Sequence, residues 1–127
     1  MLQFLLQTKF LLLIRSFNMD YYSTKDIRQY LIQLGFRPSI KGFNYIASSI
    51  ELCMKDQNYL HSITKSLYPD VARIHSTKAT RVERAIRHAI TLASDNPNSM
   101  FKETFEPYEN CSLSNSLTLG ILLEHFI

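Results

Sequence analysis

The stretch TKATRVERAIRHAI, Thr77 to Ile90, divides by face when it is wound at helical pitch. Val82, Ala85, Ile86, Ala89 and Ile90 form an apolar stripe, while Arg81, Arg84 and His88 form a second stripe with Arg87 beside them. One flank suits a protein core and the other is cationic. Arginines crowded on one short helix repel each other, and such a cluster is tolerated in open solvent or where a polyanion neutralises it.

The residues just upstream bear on that choice. Tyr68-Pro-Asp-Val-Ala-Arg-Ile74 reads as a short helix with proline at its first position, where a missing N–H costs nothing. Ser76 to Lys78 then make a tight turn, and a longer helix follows over about residues 78–93, starting near Thr80. Ala72, ten residues before Val82, is small enough to let the two helices approach closely. This is a helix-turn-helix in outline, with the second helix as the reader of the DNA major groove.

From about Gln33 to Ile127 the chain resembles the C-terminal DNA-binding domain of the stage-zero sporulation protein A family, the master sporulation response regulators of endospore-forming bacteria. TRVERAIRHAI carries most of the resemblance. SIKGFNYI at Ser39 to Ile46, SITKSLYPDVA at Ser62 to Ala72 and SNS at Ser114 to Ser116 follow the same order. The resemblance implies sequence-specific binding of double-stranded DNA at GTCG-containing boxes, often in tandem. It also implies contact with RNA polymerase, a homodimer on tandem sites and a cytoplasmic transcription regulator.

Arginine donates two hydrogen bonds to guanine O6 and N7, and glutamate accepts one from cytosine N4. Arg81, Glu83 and Arg84 offer those groups, and in the family that the chain is similar to, these positions face the bases. Two structural roles compete for Glu83: an ion pair with Arg87 one turn on, or a capping-box partner to Thr80. Lys65, Lys78, Thr80, Arg87 and His88 are the candidates for phosphate contact, each of which could equally be solvated. Phe43 is read as core and Gly42 as a close-approach position, so neither is assigned to the interface.

Length and composition fit that reading. A chain of 127 residues with 46% hydrophobic residues supports one core without a metal or cofactor. The net charge of +3 is unevenly placed: Lys65 to Arg87 carries six basic and two acidic residues, whereas the chain after Ala93 carries one basic and five acidic. The four histidines, His61, His75, His88 and His125, lack metal-ligand spacing, and there is no phosphate-cradling glycine loop. An enzyme is therefore not expected, nor a small-molecule substrate. Cys53 and Cys111 have no close-spaced partner and read as reduced thiols of a cytosolic protein.

The fold class is all-α: a compact bundle of about six to seven helices containing the helix-turn-helix, as a single domain over residues 19–127. Residues 1–18, with the run LLQTKFLLLI, form an apolar appendage of unknown role, too short in its uncharged run to span a bilayer. Ser23 and Asp26 open a helix with Ile27, Tyr30, Leu31 and Leu34 on one face, ended by Gly35. Phe43, Ile46, Ala47, Ile50 and Met54 mark a helix over Lys41 to about Asp56, and Asn58 caps a third through Leu67. Asp95 to Asn98 break the chain after the helix-turn-helix, Met100, Phe101 and Phe105 suit a short helix, and Glu106 to Ser112 is loop. Ser114 or Ser116 caps a last helix apolar nearly all round, which should be buried on more than one side, in the fold or in a dimer.

The chain also departs from the family pattern. It leaves no room for the phosphorylated receiver domain of full-length members, so phosphorylation control is not expected. Ser39 stands where histidine is usual, Leu117 where glutamate is usual, and Asp95 to Ser112 differs in sequence. An alternative follows from these differences: a helical module of the same fold that binds a related regulator, pairing through Ile121 and Phe126, instead of DNA.

Overall fold

The first helix, α1 (Thr24–Leu34), starts where Ser23 leaves the helical backbone. Its hydroxyl accepts from the Asp26 N–H at 3.3 Å, and the Asp26 carboxylate accepts from the Ser23 N–H at 2.8 Å, a reciprocal capping box. Gly35 ends the helix at φ 106°, and the Phe36 N–H returns to the Leu31 carbonyl at 3.0 Å. That left-handed turn swings Phe36 into the core, where it is 2% exposed. The computed structural model describes residues 22–96, 100–105, 107 and 113–127. The expected appendage over residues 1–18, Cys111, Pro97, Asn98 and all of the Glu106 to Ser112 loop except Pro107 lie outside the described residues.

The second helix, α2 (Lys41–Lys55), buries Phe43, Ile46, Ala47, Ile50 and Cys53 on one stripe, with Met54 half-buried at its edge. Arg28 of α1 lies 4.8 Å over the Phe43 ring and donates to Asn44 Oδ1 at 2.7 Å. This pairs the two helices through a cation–π contact as well as through apolar burial.

The expected third helix from Asn58 to Leu67 is not one helix. A 3₁₀ turn runs over Gln57–His61, capped by Asp56, whose carboxylate accepts from the Asn58 N–H at 3.0 Å. Ser62 then leaves helical geometry, and Ile63–Leu67 form a π-helical turn in which the Leu67 N–H reaches the Ser62 carbonyl at 3.2 Å. The wide turn has a local cause. Pro69 has no N–H to give the Lys65 carbonyl, and its ring would crowd that carbonyl in a regular helix.

The π turn runs directly into α3 (Tyr68–Ile74), and α4 (Ala79–Ser94) follows after a short turn. A brief α5 (Phe101–Phe105) stacks Phe101 on Phe105, with ring centroids 4.1 Å apart, and leaves Met100 outside, 54% exposed. The last helix, α6 (Asn115–Glu124), is capped by Ser114, whose hydroxyl accepts from the Leu117 N–H at 3.1 Å. Among the described residues there are six α-helices and no strand.

The helices share one core. α2 crosses its centre and packs most extensively on α4, with α1, α3 and α6 also against it. Thr118, Leu119, Leu122 and Leu123 of α6 and the following Phe126 are buried, and Ile121 is half-buried. The apolar last helix is thus buried within the fold itself, on more than one of its sides.

Candidate nucleic-acid interface

The junction of α3 and α4 is built by backbone geometry. His75 closes α3, Ser76 takes a left-handed conformation at φ 52°, and the Thr77 N–H returns to the Ala72 carbonyl at 2.9 Å. The Ser76 N–H points to the Arg73 carbonyl at 3.4 Å, so the turn is a Schellman-type cap with serine in the position glycine usually takes. Lys78 is extended and stands at the N-cap of α4 without a side-chain cap bond. Thr80 is therefore in the first turn and is not the cap. The capping-box role weighed for Glu83 with Thr80 does not occur.

The turn is also fastened from below. His75 Nε2 lies 2.7 Å from the Ser48 hydroxyl of α2, and its ring meets the edge of Tyr45 at 5.0 Å between centroids. On the outer side of the first helix-turn-helix helix, Tyr59 donates to Asp70 Oδ2 at 2.6 Å, and Asp70 pairs with Arg73 at 3.0 Å. That hydrogen bond to Asp70 raises the Tyr59 phenol above its ordinary pKa.

Helix α4 meets the core with Val82, Ile86, Ala89, Ile90 and Ala93, all buried. It sits unusually close to α2 at Gly42, where any Cβ would overlap the Ala85 carbonyl and come within 2.8 Å of the Ala89 Cβ. Ala72 and Val82, 4% and 0% exposed, bring α3 against the same stretch. The face opposite the buried stripe is open. Thr80, Arg81, Arg84, Arg87 and His88 are exposed along it, and Lys78 is exposed at its N-terminal end.

The first amides of a helix lack intrahelical acceptors, so Lys78 stands beside free donors as well as its own charge. Lys65 is exposed too, but on the π turn, away from α4 in sequence. Glu83 is at the margin of the face, partly covered, and its carboxylate accepts from the Arg87 guanidinium one turn on. That hydrogen bond pushes the Arg87 pKa further up. Of the two structural roles open to Glu83, the ion pair is the one realised. Sequence reasoning overlooked Thr91, which is exposed one turn beyond Arg87 and seven residues after Arg84, and its spacing alone could have found it.

It also gave no role to Asn115, although the SNS piece at Ser114 to Ser116 marks it, because its contacts are with residues far away in the chain. Its Nδ2 donates to the Tyr68 hydroxyl at 3.1 Å and to the Glu83 carbonyl at 3.0 Å. One amide nitrogen of α6 thus touches both helices of the pair.

No cluster of three or more histidine, cysteine, aspartate or glutamate residues able to hold a metal occurs among the described residues. His75 is bound to Ser48, and His125 stacks on Tyr30 at 3.8 Å. Cys53 is a buried free thiol. No helix among the described residues is long and apolar enough to cross a membrane. The alternative partner surface at Ile121 and Phe126 is not presented either, since Phe126 is 7% exposed and Ile121 is half-buried against the core.

A helix-turn-helix braced on a helical core, with a cationic outer face on its second helix, defines a DNA-binding domain of the transcription-regulator class. The chain belongs to the family described as sporulation initiation factor Spo0A, C terminal, whose match spans residues 27–122. That family is one of DNA-binding domains and not an enzyme class.

Proposed function

We propose that residues 19–127 bind a specific duplex sequence by laying α4 in the major groove. In this reading Arg81 and Arg84 donate to guanines and Glu83 accepts from a cytosine, while Lys65, Lys78, Thr80, Arg87 and His88 hold phosphates on either side. The observation that carries it is the division of α4: its inner stripe is buried and its outer face is exposed with three arginines along it. Glu83 would exchange Arg87 for a base, leaving that guanidinium free to meet a phosphate. The protein would act in the cytoplasm on double-stranded DNA, and contacts with RNA polymerase or with a second protomer on tandem boxes belong to the same reading.

The test is binding-site selection from random duplexes, followed by fluorescence anisotropy at several salt concentrations. With Lys65, Lys78 and Arg87 on phosphates, log affinity should fall with log salt at a slope of about −3, given roughly 0.9 per phosphate. Arg84→Ala should cost about 1–3 kcal/mol on the selected site and relax the preference at one base pair. Lys78→Ala should weaken all duplexes alike and make the salt slope shallower by about one. A uniform loss on every duplex for Arg84→Ala would remove it from the base-reading set.

A further inference from the structure

The face of α4 can read bases only if the helix is held at a fixed depth and rotation relative to α3, because hydrogen bonds to base edges tolerate little displacement. Apolar packing sets the spacing of the two helices but not a unique rotation, since side chains of a stripe can slide along one another. A directional bond to the backbone of α4 fixes what packing leaves loose.

We propose that Asn115 is a positioning residue for DNA recognition, holding α4 against α3 through a single bridging amide. This deepens the duplex-binding reading above and rests on it. Asn115 is the first residue of α6, set there by the Ser114 cap. Its Nδ2 has two N–H groups, and the structure gives each an acceptor: the Tyr68 hydroxyl at the start of α3 and the Glu83 carbonyl on α4. Tyr68 is itself buried, 5% exposed, and burial raises its phenol above the ordinary pKa, so it stays neutral as an acceptor.

The choice of carbonyl matters. Glu83 lies between Arg81 and Arg84, the residues given to the bases, and its own side chain is held by Arg87. The backbone bond from Asn115 and the side-chain bond from Arg87 therefore both hold the same residue. Of the two, only the Arg87 bond uses the side chain proposed to reach a base, so the Asn115 bond to the backbone does not have to break when α4 meets DNA. Loss of the clamp should blur sequence discrimination more than it weakens charge-driven binding.

The experiment measures, by anisotropy, the ratio of Kd on a scrambled duplex to Kd on the duplex selected by the wild-type chain. Asn115→Ala and Asn115→Ser are compared with wild type, with thermal unfolding followed in parallel. Serine leaves the Ser114 cap in place but is too short to bridge both acceptors. The expected result is that the ratio falls about tenfold in both variants, the order of one base contact, while Kd on the scrambled duplex changes much less. Tyr68→Phe, which spares the Glu83 bond, should lose less of the ratio. If Asn115→Ala does not fold, Asn115→Ser and Tyr68→Phe carry the same readout.

Variants that keep the wild-type ratio overturn the inference, as do variants that lose affinity for both duplexes equally while their unfolding temperature drops, the mark of a structural role alone. A wild-type chain that binds no duplex in preference to another overturns the duplex-reading function itself, and the inference with it.

Discussion

A methyl group at position 42 would have nowhere to go. It would overlap the backbone carbonyl of Ala85, and backbone cannot rotate aside as the end of a flexible side chain can. Gly42→Ala gains about 1 kcal/mol of helix propensity. Forcing α2 and α4 apart should cost more, so we expect a net loss of about 2 kcal/mol or more, read as a lower midpoint in urea. An unchanged midpoint would mean the two helices can separate without losing their packing. Thr118 predicts the opposite sign. Its hydroxyl is fully buried with no hydrogen-bond partner among the described residues, and an unsatisfied buried group costs about 1–3 kcal/mol. Thr118→Val keeps the shape and removes the polar atom, so it should raise stability by about 1 kcal/mol, whereas a loss in the same denaturation series would show that the hydroxyl is satisfied in solution.

The turn between α3 and α4 is where helix ends decide the geometry. Ser76 occupies the left-handed position at φ 52°, a conformation that costs a residue with a Cβ more than it costs glycine. Ser76→Gly should stabilise the fold by about 0.5–1 kcal/mol, the conformational gain being partly offset by greater freedom in the unfolded chain. Thermal unfolding reads this directly, and a lower unfolding temperature would show that the serine hydroxyl does more than solvate the turn. Elements of this kind also mark how far the sequence could be read. The capping box at Ser23 and Asp26, the stripe of α2 and the two faces of α4 are local patterns, and they were legible. The split at Ser62 was not, because a 3₁₀ turn followed by a π turn places Leu60, Ile63 and Leu67 at intervals that a regular helix would also produce. The exposed position of Arg84 follows from spacing alone. The Glu83–Arg87 pair was one of two choices that spacing left open, and Asn115 reaching across 32 residues to Glu83 leaves no trace in any window.

At the scale of the molecule, charge and titration act on opposite parts of the fold. The cations from Lys65 to Arg87 are exposed, while the Cys53 thiol and the Tyr68 phenol are buried and the Tyr30 phenol is half-buried. Cys53 is 2% exposed, and burial, aided by the Asp56 carboxylate, pushes its thiol up to about 11. Burial also raises Tyr30 and Tyr68 above their ordinary values. Each of these groups is neutral when protonated, and the folded chain keeps the proton at pH values where the unfolded chain has lost it. Raising the pH therefore favours the unfolded state, and the stability these groups contribute is complete below their unfolded pKa and is lost as pH climbs toward the folded one. For Cys53 that window runs from 9.0 to about 11. Urea midpoints measured across it should fall steadily for the wild-type chain. Cys53→Ala should be less stable at neutral pH, because it leaves a small cavity, yet should fall less steeply, with the residual slope due to Tyr30, Tyr59 and Tyr68. Parallel slopes in the two chains would mean that the thiol loses its proton in the folded state as readily as in the unfolded one, so that the space between α2 and its neighbours admits water.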